Sequence, residues 1–231
     1  MIYIIGDSHV SVFSGTDKTF DGFRHIQPEF GTCYTLSGGQ LRPHINRFEQ
    51  RIPYFCPIKT GSNTAWNSFD KLPIIERALT EYKVVKDDYV FTCFGEIDIR
   101  NHIGFNIGVN QNVFDVIVET VNRYIKTVMY LKNKDFNIGV YGPPSSSVGW
   151  ATSGRQYKDV TFRNIMTLYF NKVLKEKCEE NMILFKDISK ELMLPDGSTD
   201  PKYIMDDIHL SQEAIPLLIK EFGDIICKTV D

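Results

Sequence analysis

Met1-Ile2-Tyr3-Ile4-Ile5-Gly6-Asp7-Ser8-His9 opens the chain, and the reading of these residues decides the rest. Ile2–Ile5 is a continuous apolar run that stops at a glycine. A short run of this kind is a strand buried on both faces and opening into a turn. It is not a secretory leader, because Asp7 and His9 follow at once, with no basic segment ahead and no room for a cleavage site. The expected location is therefore cytoplasmic.

The same pattern recurs along the chain. Pro53–Ile58, Tyr89–Phe94, Asn137–Tyr141 and Met182–Phe185 are further apolar runs, and turn residues follow several of them (Thr60-Gly61-Ser62-Asn63 and Gly142-Pro143-Pro144 among these). Helical spacing fills the intervals. Thr64–Tyr82 places Trp66, Phe69, Ile74, Ala78 and Leu79 on one side, with a kink expected at Pro73. Gln111–Lys132 is the clearest helix, Tyr157–Glu180 a second long one, and Ser211–Lys228 a closing one with Ser211 as its N-cap. Residues 14–50 hold turn material such as Ser37-Gly38-Gly39, and are expected to form loops with one short helix near Pro43–Gln50. Ser145–Arg155 reads as a mobile Ser- and Gly-rich loop carrying Trp150. Strands alternating with helices predict βαβ crossovers. The architecture expected is a three-layer α/β/α sandwich with a mainly parallel five-stranded sheet, in one domain spanning 1–231.

Composition narrows the function classes. Of 231 residues, 42% are hydrophobic and 24% charged, ordinary values for a globular protein that exclude bulk disorder. The formal charge of −3 and the scattered basic residues argue against nucleic acid as a partner. No apolar run is long enough to span a bilayer, so no membrane association is expected. The five cysteines include no CxxC pair and read as structural thiols. Oligomeric state is not legible.

In open parallel sheets, active sites form beyond the C-terminal ends of the strands. Ser8, Gly61, Gly95–Arg100 and Pro143–Trp150 all fall there. Ser8 is a hydroxyl on a sharp strand-to-helix turn. Near the far end, Asp206-Asp207-Ile208-His209 sets a carboxylate three residues before a histidine, on a loop ahead of a helix. A serine hydrolase needs such a hydroxyl, a histidine to take its proton, a carboxylate to hold that histidine, and donors for the oxyanion.

On these residues the chain resembles the SGNH/GDSL hydrolases. Gly6-Asp7-Ser8 is similar to the family's nucleophile block, Asp206-x-x-His209 to its last block, and Gly95-Glu96-Ile97-Asp98 occupies the place of its Gly-x-Asn-Asp block. The resemblance runs through the whole chain in order. It looks most like a branch with a Gly-Asp-Ser-His first block and a Gly-Glu-Ile-Asp third block. It implies a flavodoxin-like sheet, a triad of Ser8, Asp206 and His209, an oxyanion hole from the Ser8 and Gly61 amides, and no metal or other cofactor. The departure is Ile97, which cannot donate where the family has an asparagine. Either the Ser8 and Gly61 amides suffice, or Arg100 or Asn63 stands in, or the site no longer hydrolyses quickly.

Each residue also has a plainer role. Ser8 can be a helix cap, His209 a helix-start histidine, and Asp207 competes with Asp206 as orienter. Asp7 reads as a turn residue. Glu96, Asp98 and Arg100 read as an ion-pair network holding a loop, with contact to a polar or anionic substrate as the alternative. His9 and His102 lie near these carboxylates without a metal-ligand spacing. Trp150 can stack on a sugar or pack on the domain, while Arg155 and Arg163 default to solvated helix charges. Asn63, Glu96, Arg100 and Trp150 are the candidate substrate contacts. The implied activity is hydrolysis of a small acyl ester, with an O-acetyl group on a carbohydrate suggested by family analogy. An O-acyltransferase using the same triad and a non-catalytic carbohydrate-binding module are the alternatives.

Overall fold

The structure is a computed structural model and describes residues 1–14, 32–37, 40–45, 54–103, 112–147, 159–205 and 208–230. The apolar run at the start forms β1 (Ile2–Gly6). It lies between β4 (Phe55–Lys59) and β5 (Tyr89–Cys93), paired in parallel with each. Beyond β5 come β6 (Asn137–Tyr141) and β7 (Leu184–Lys186), also parallel. The five expected strands thus make one parallel body in the order β4-β1-β5-β6-β7. That is the flavodoxin-like order, with its topological switch at β1.

The sheet has two further strands. β2 (Thr32–Ser37) and β3 (Gln40–Ile45) form an antiparallel hairpin, and β2 joins the free side of β4 through Thr35 and Lys59. The expected loops and short helix near Pro43–Gln50 are corrected here as far as Ile45. The register sets Ser37 opposite Gln40. In sequence only Gly38 and Gly39, outside the described residues, separate the two strands, a composition that favours two-residue hairpins. Pro43 is tolerated because β3 is the sheet edge, where a missing N–H breaks no second ladder.

Strand residues alternate between two cores, as a pleat requires. Ile5, Ile58, Val90, Ile138 and Val140 face one side. There they meet α1 (Leu72–Glu81), α2 (Val113–Lys132) and α3 (Val160–Glu180) through Ile75, Val121, Phe170 and their neighbours. Ile2, Ile4, Phe55, Phe91 and Tyr141 face the other side. They pack on Val10 and Phe13, on α4 (Ile215–Glu221) and on α5 (Gly223–Val230). Phe222 sits at the centre of that second core, edge-on to Phe13, Phe55 and Phe91 at 5.8, 5.2 and 5.0 Å.

The helix boundaries follow local chemistry. Asn112 and Asp159 cap α2 and α3 by accepting from Phe114 N at 3.0 Å and Thr161 N at 2.8 Å. Pro73 does not kink α1; it lies in the first turn, where its missing N–H costs nothing. A 3₁₀ turn, Ser68–Lys71, precedes it. Ser211 does cap the closing segment, accepting from Glu213 N at 3.3 Å. That segment is two helices, broken at Phe222-Gly223. Cys56, Cys93 and Cys178 are buried, and Cys227 is exposed. Among the described residues no helix is long and apolar enough to cross a membrane.

Candidate active site

Gly6 ends β1 where three strands meet. It pairs with Lys59 on one side and Cys93 on the other. A β-carbon there would lie 2.1 Å from the Cys93 carbonyl oxygen, so only glycine fits. The Gly6 carbonyl accepts from Thr60 N at 2.8 Å and Thr60 Oγ1 at 3.0 Å, which ties the turn after β1 to the turn after β4. Beyond Gly6 the chain turns sharply into a 3₁₀ helix, Ser8–Ser14. Ser8 heads it, partly exposed at the C-terminal rim of the sheet.

His209 reaches this point from the opposite end of the chain. Its loop is closed on itself: Ile204 bridges Leu210, Met205 N donates to His209 O at 3.0 Å, and Ser211 N donates to Tyr203 O at 2.8 Å. The imidazole Nε2 lies 2.8 Å from Ser8 Oγ, a hydrogen bond between residues 201 positions apart. His209 is buried, 2% exposed. Asp206 and Asp207 lie outside the described residues, as do Trp150 and Arg155.

Gly61 directly follows Thr60, so the sheet brings it beside the Ser8 turn. Its φ of +102° is one that side-chain-bearing residues rarely adopt. Open space surrounds the position its β-carbon would take. Asn63 turns inward and donates to Thr60 O at 2.8 Å and Thr60 Oγ1 at 3.1 Å, so it braces this loop.

The charge cluster expected at the end of β5 divides in two. Asp98 Oδ2 accepts from Ala65 N at 2.6 Å and Oδ1 from Trp66 N at 3.1 Å, fastening the Gly61 loop to the segment after β5. Burial pushes its pKa up to about 7, against the pull of those two amides. Glu96 takes a separate course. Its Oε2 meets His9 Nε2 at 2.8 Å, and its Oε1 accepts from Arg100 Nε at 2.7 Å. Burial disfavours the Glu96 carboxylate, yet His9 and Arg100 overcome that and hold its pKa far below the usual range. Burial likewise disfavours His9 in its charged form, and Glu96 with Asp7 outweighs it, so the His9 pKa is raised. Burial lifts Asp7 to about 6, even though His9 opposes the rise and its backbone N–H donates to Asp7 Oδ1 at 2.8 Å.

Sequence reasoning missed two features. His9 stacks on His209, ring centroids 5.0 Å apart at 27°. The available signal was the coincidence of His9 after the nucleophile block with Glu96 inside the third block, on strands that become neighbours. Arg163, by default a solvated helix charge, is instead buried at 2% exposure and donates from Nη2 to Ser147 O at 2.5 Å. It shares a polar face of α3 with Asn164, which accepts from Ser146 N at 2.8 Å. His102 is exposed, and among the described residues no cluster of His, Cys, Asp and Glu could hold a metal ion.

Comparison with protein-family models gives no match, and comparison with curated proteins gives no significant match. Solved structures do match. A GDSL-like lipase from Bacteroides thetaiotaomicron superposes with a TM-score of 0.53 at 12% identity, over 99% of this chain and 88% of that one. The lipase/acylhydrolase from Enterococcus faecalis gives 0.51 at 14% identity, over 99% and 97%. A catalytic mutant of an acetylxylan esterase from Geobacillus stearothermophilus gives 0.51 at 15% identity, over 97% and 93%. At these identities the likeness establishes the fold, the α/β/α sandwich of the GDSL-like lipases and acetylxylan esterases.

Proposed function

We propose that this chain is a serine esterase that removes a small acyl group, an O-acetyl on a carbohydrate, through an acyl-enzyme. The 2.8 Å contact between Ser8 Oγ and His209 Nε2 carries the proposal. A hydroxyl at a sharp strand-to-helix turn, bonded to a buried imidazole, is the arrangement a nucleophile and its base require. Ser8 attacks the ester carbonyl as His209 takes its proton, and His209 then returns that proton to the leaving alcohol. Water, activated by the same imidazole, resolves the acyl-enzyme. Asp206 is the proposed partner of the other imidazole nitrogen. The Ser8 and Gly61 amides are the proposed oxyanion donors; the positive φ of Gly61 and the open space beside it favour that role.

Ile97 offers no donor, and Asn63 and Arg100 are committed to Thr60 and Glu96. The proposed oxyanion hole therefore uses main-chain donors, and one donor fewer costs about 10²–10³ in rate. The carbohydrate ester is suggested by the acetylxylan esterase among the structural neighbours. Transfer of the acyl group to a sugar hydroxyl would share the first half-reaction. Incubation with acetylated xylooligosaccharides, with and without an unacetylated acceptor, tests both steps. Free acetate in both cases is the expected result; an acylated acceptor identifies a transferase, and recovery of intact ester excludes this substrate.

A further inference from the structure

Catalysis by Ser8 and His209 does not account for the histidine, glutamate and arginine sealed against them. We infer that His9, clamped by Glu96, is a positioning residue for His209: its ring is the platform on which the base is held in line with Ser8, and its charge sets the pH at which that base works. The inference rests on Ser8 and His209 acting as nucleophile and base.

In-plane hydrogen bonds at the nitrogens of an imidazole leave its ring some freedom to tilt. Contact on the ring face removes that freedom, and His9 supplies it at 5.0 Å and 27°. His9 is itself fixed three ways. It is the next residue after Ser8, its backbone N–H is held by Asp7 Oδ1, and its Nε2 meets Glu96 Oε2 at 2.8 Å. The second oxygen of Glu96 is held by Arg100, so the carboxylate cannot rotate away. His9 and Glu96 are 3% and 4% exposed.

Among the described residues, the groups acting on the pair come from several elements; Asp206, the proposed partner of His209, lies outside them. Asp7 lies in the turn after β1, and the neutral thiol of Cys93 at the end of β5. Glu96 and Arg100 follow β5, and Arg163 on α3 acts on Glu96. His209 closes the stack from the C-terminal loop. Within this set the Glu96 carboxylate, 2.8 Å from His9 Nε2, favours the protonated form of His9. A second proton on His209 would set two cationic rings face to face in a buried site, so His9 favours the neutral, base form of His209. That form is the one general-base catalysis uses.

The experiment is the pH dependence of p-nitrophenyl acetate hydrolysis by the wild type and His9→Phe, which keeps a flat ring and removes the charge. The acid limb of kcat/KM is expected to move up by about one pH unit, a modest shift for loss of a neighbouring charge. The plateau kcat is expected to fall about tenfold with KM unchanged, as for a misplaced catalytic group. Superimposable profiles, or a uniform loss with the limb unmoved, would reduce His9 to a packing residue and overturn the inference. Should His9→Phe fail to fold, ¹⁵N-histidine spectra of the wild type decide. One imidazole remaining protonated past pH 7, with cross-relaxation to a titrating neighbour, supports the inference; two neutral rings at pH 7 overturn it. A wild type that neither turns over ester nor reacts with a fluorophosphonate at Ser8 removes the proposed function, and the inference with it. An active wild type with an unmoved limb removes the inference alone.

Discussion

Ser8→Ala is expected to lower p-nitrophenyl acetate turnover by roughly 10⁴–10⁶-fold, the scale on which a triad loses its nucleophile. The effect is large because the Ser8 Oγ bonded to His209 Nε2 is the proposed nucleophile itself. Stability should barely change. Ser8 is partly exposed at the head of a 3₁₀ turn, and its hydroxyl fills no core volume. Steady-state kinetics beside a thermal melt separate the two quantities. A variant that retains turnover removes Ser8 from the chemistry, and a variant that is inactive and unfolded does not meet the expectation either.

Gly6→Ala is expected to destabilise the fold strongly for a single added methyl group. Its β-carbon would meet the Cys93 carbonyl oxygen at 2.1 Å, and that oxygen belongs to the neighbouring strand's backbone, which cannot rotate aside. Relief requires β1 and β5 to separate at their ends, where Asp7 N donates to Cys93 O at 3.3 Å. Overpacking against movable side chains costs about 1–3 kcal/mol, and a backbone obstacle lies at or above the top of that range. At roughly 2–4 °C per kcal/mol for a domain of this size, the melting temperature should fall by about 6 °C or more. The Ser8 turn is the next element along, so hydrolysis should be lost with it. An unchanged melt would show that the strands tolerate the spacing, and the close approach would then not explain the glycine.

The fold was legible where one physical rule dominates. Buried parallel strands are short apolar runs, and β1, β4, β5 and β6 each appeared as one; β7, whose residues are exposed or half-buried, was legible only as part of the run Met182–Phe185. The hairpin β2–β3 was not, because Ser37-Gly38-Gly39 serves equally as loop material and as a two-residue connection, and Pro43 resists assignment to a strand unless the strand is known to be an edge. The meeting of Ser8 and His209 was legible, since the Gly6-Asp7-Ser8 turn and the His209 loop come in the order that the resemblance supplies, and their side chains lie 2.8 Å apart. The His9–Glu96 pair was not legible. Its members are 87 residues apart, and only the adjacency of β1 and β5 joins them. Arg163 escaped for another reason. The rule that polar helix positions face water fails on α3, whose Arg163, Asn164, Thr167 and Asn171 are buried against the loops after β6 and β7. Asp98 was expected among ion pairs, yet its partners are two backbone amides, which no pattern of charged residues can announce.

The central claim is that an activated serine at position 8 does the work, and a fluorophosphonate probe addresses it most directly. Only a hydroxyl made nucleophilic by its surroundings attacks such a phosphorus centre at neutral pH. Tryptic mass spectrometry after incubation should find one adduct, on the peptide containing Ser8, and none after His209→Ala. An unmodified Ser8 in folded wild-type protein, or an adduct on another residue alone, would contradict the account.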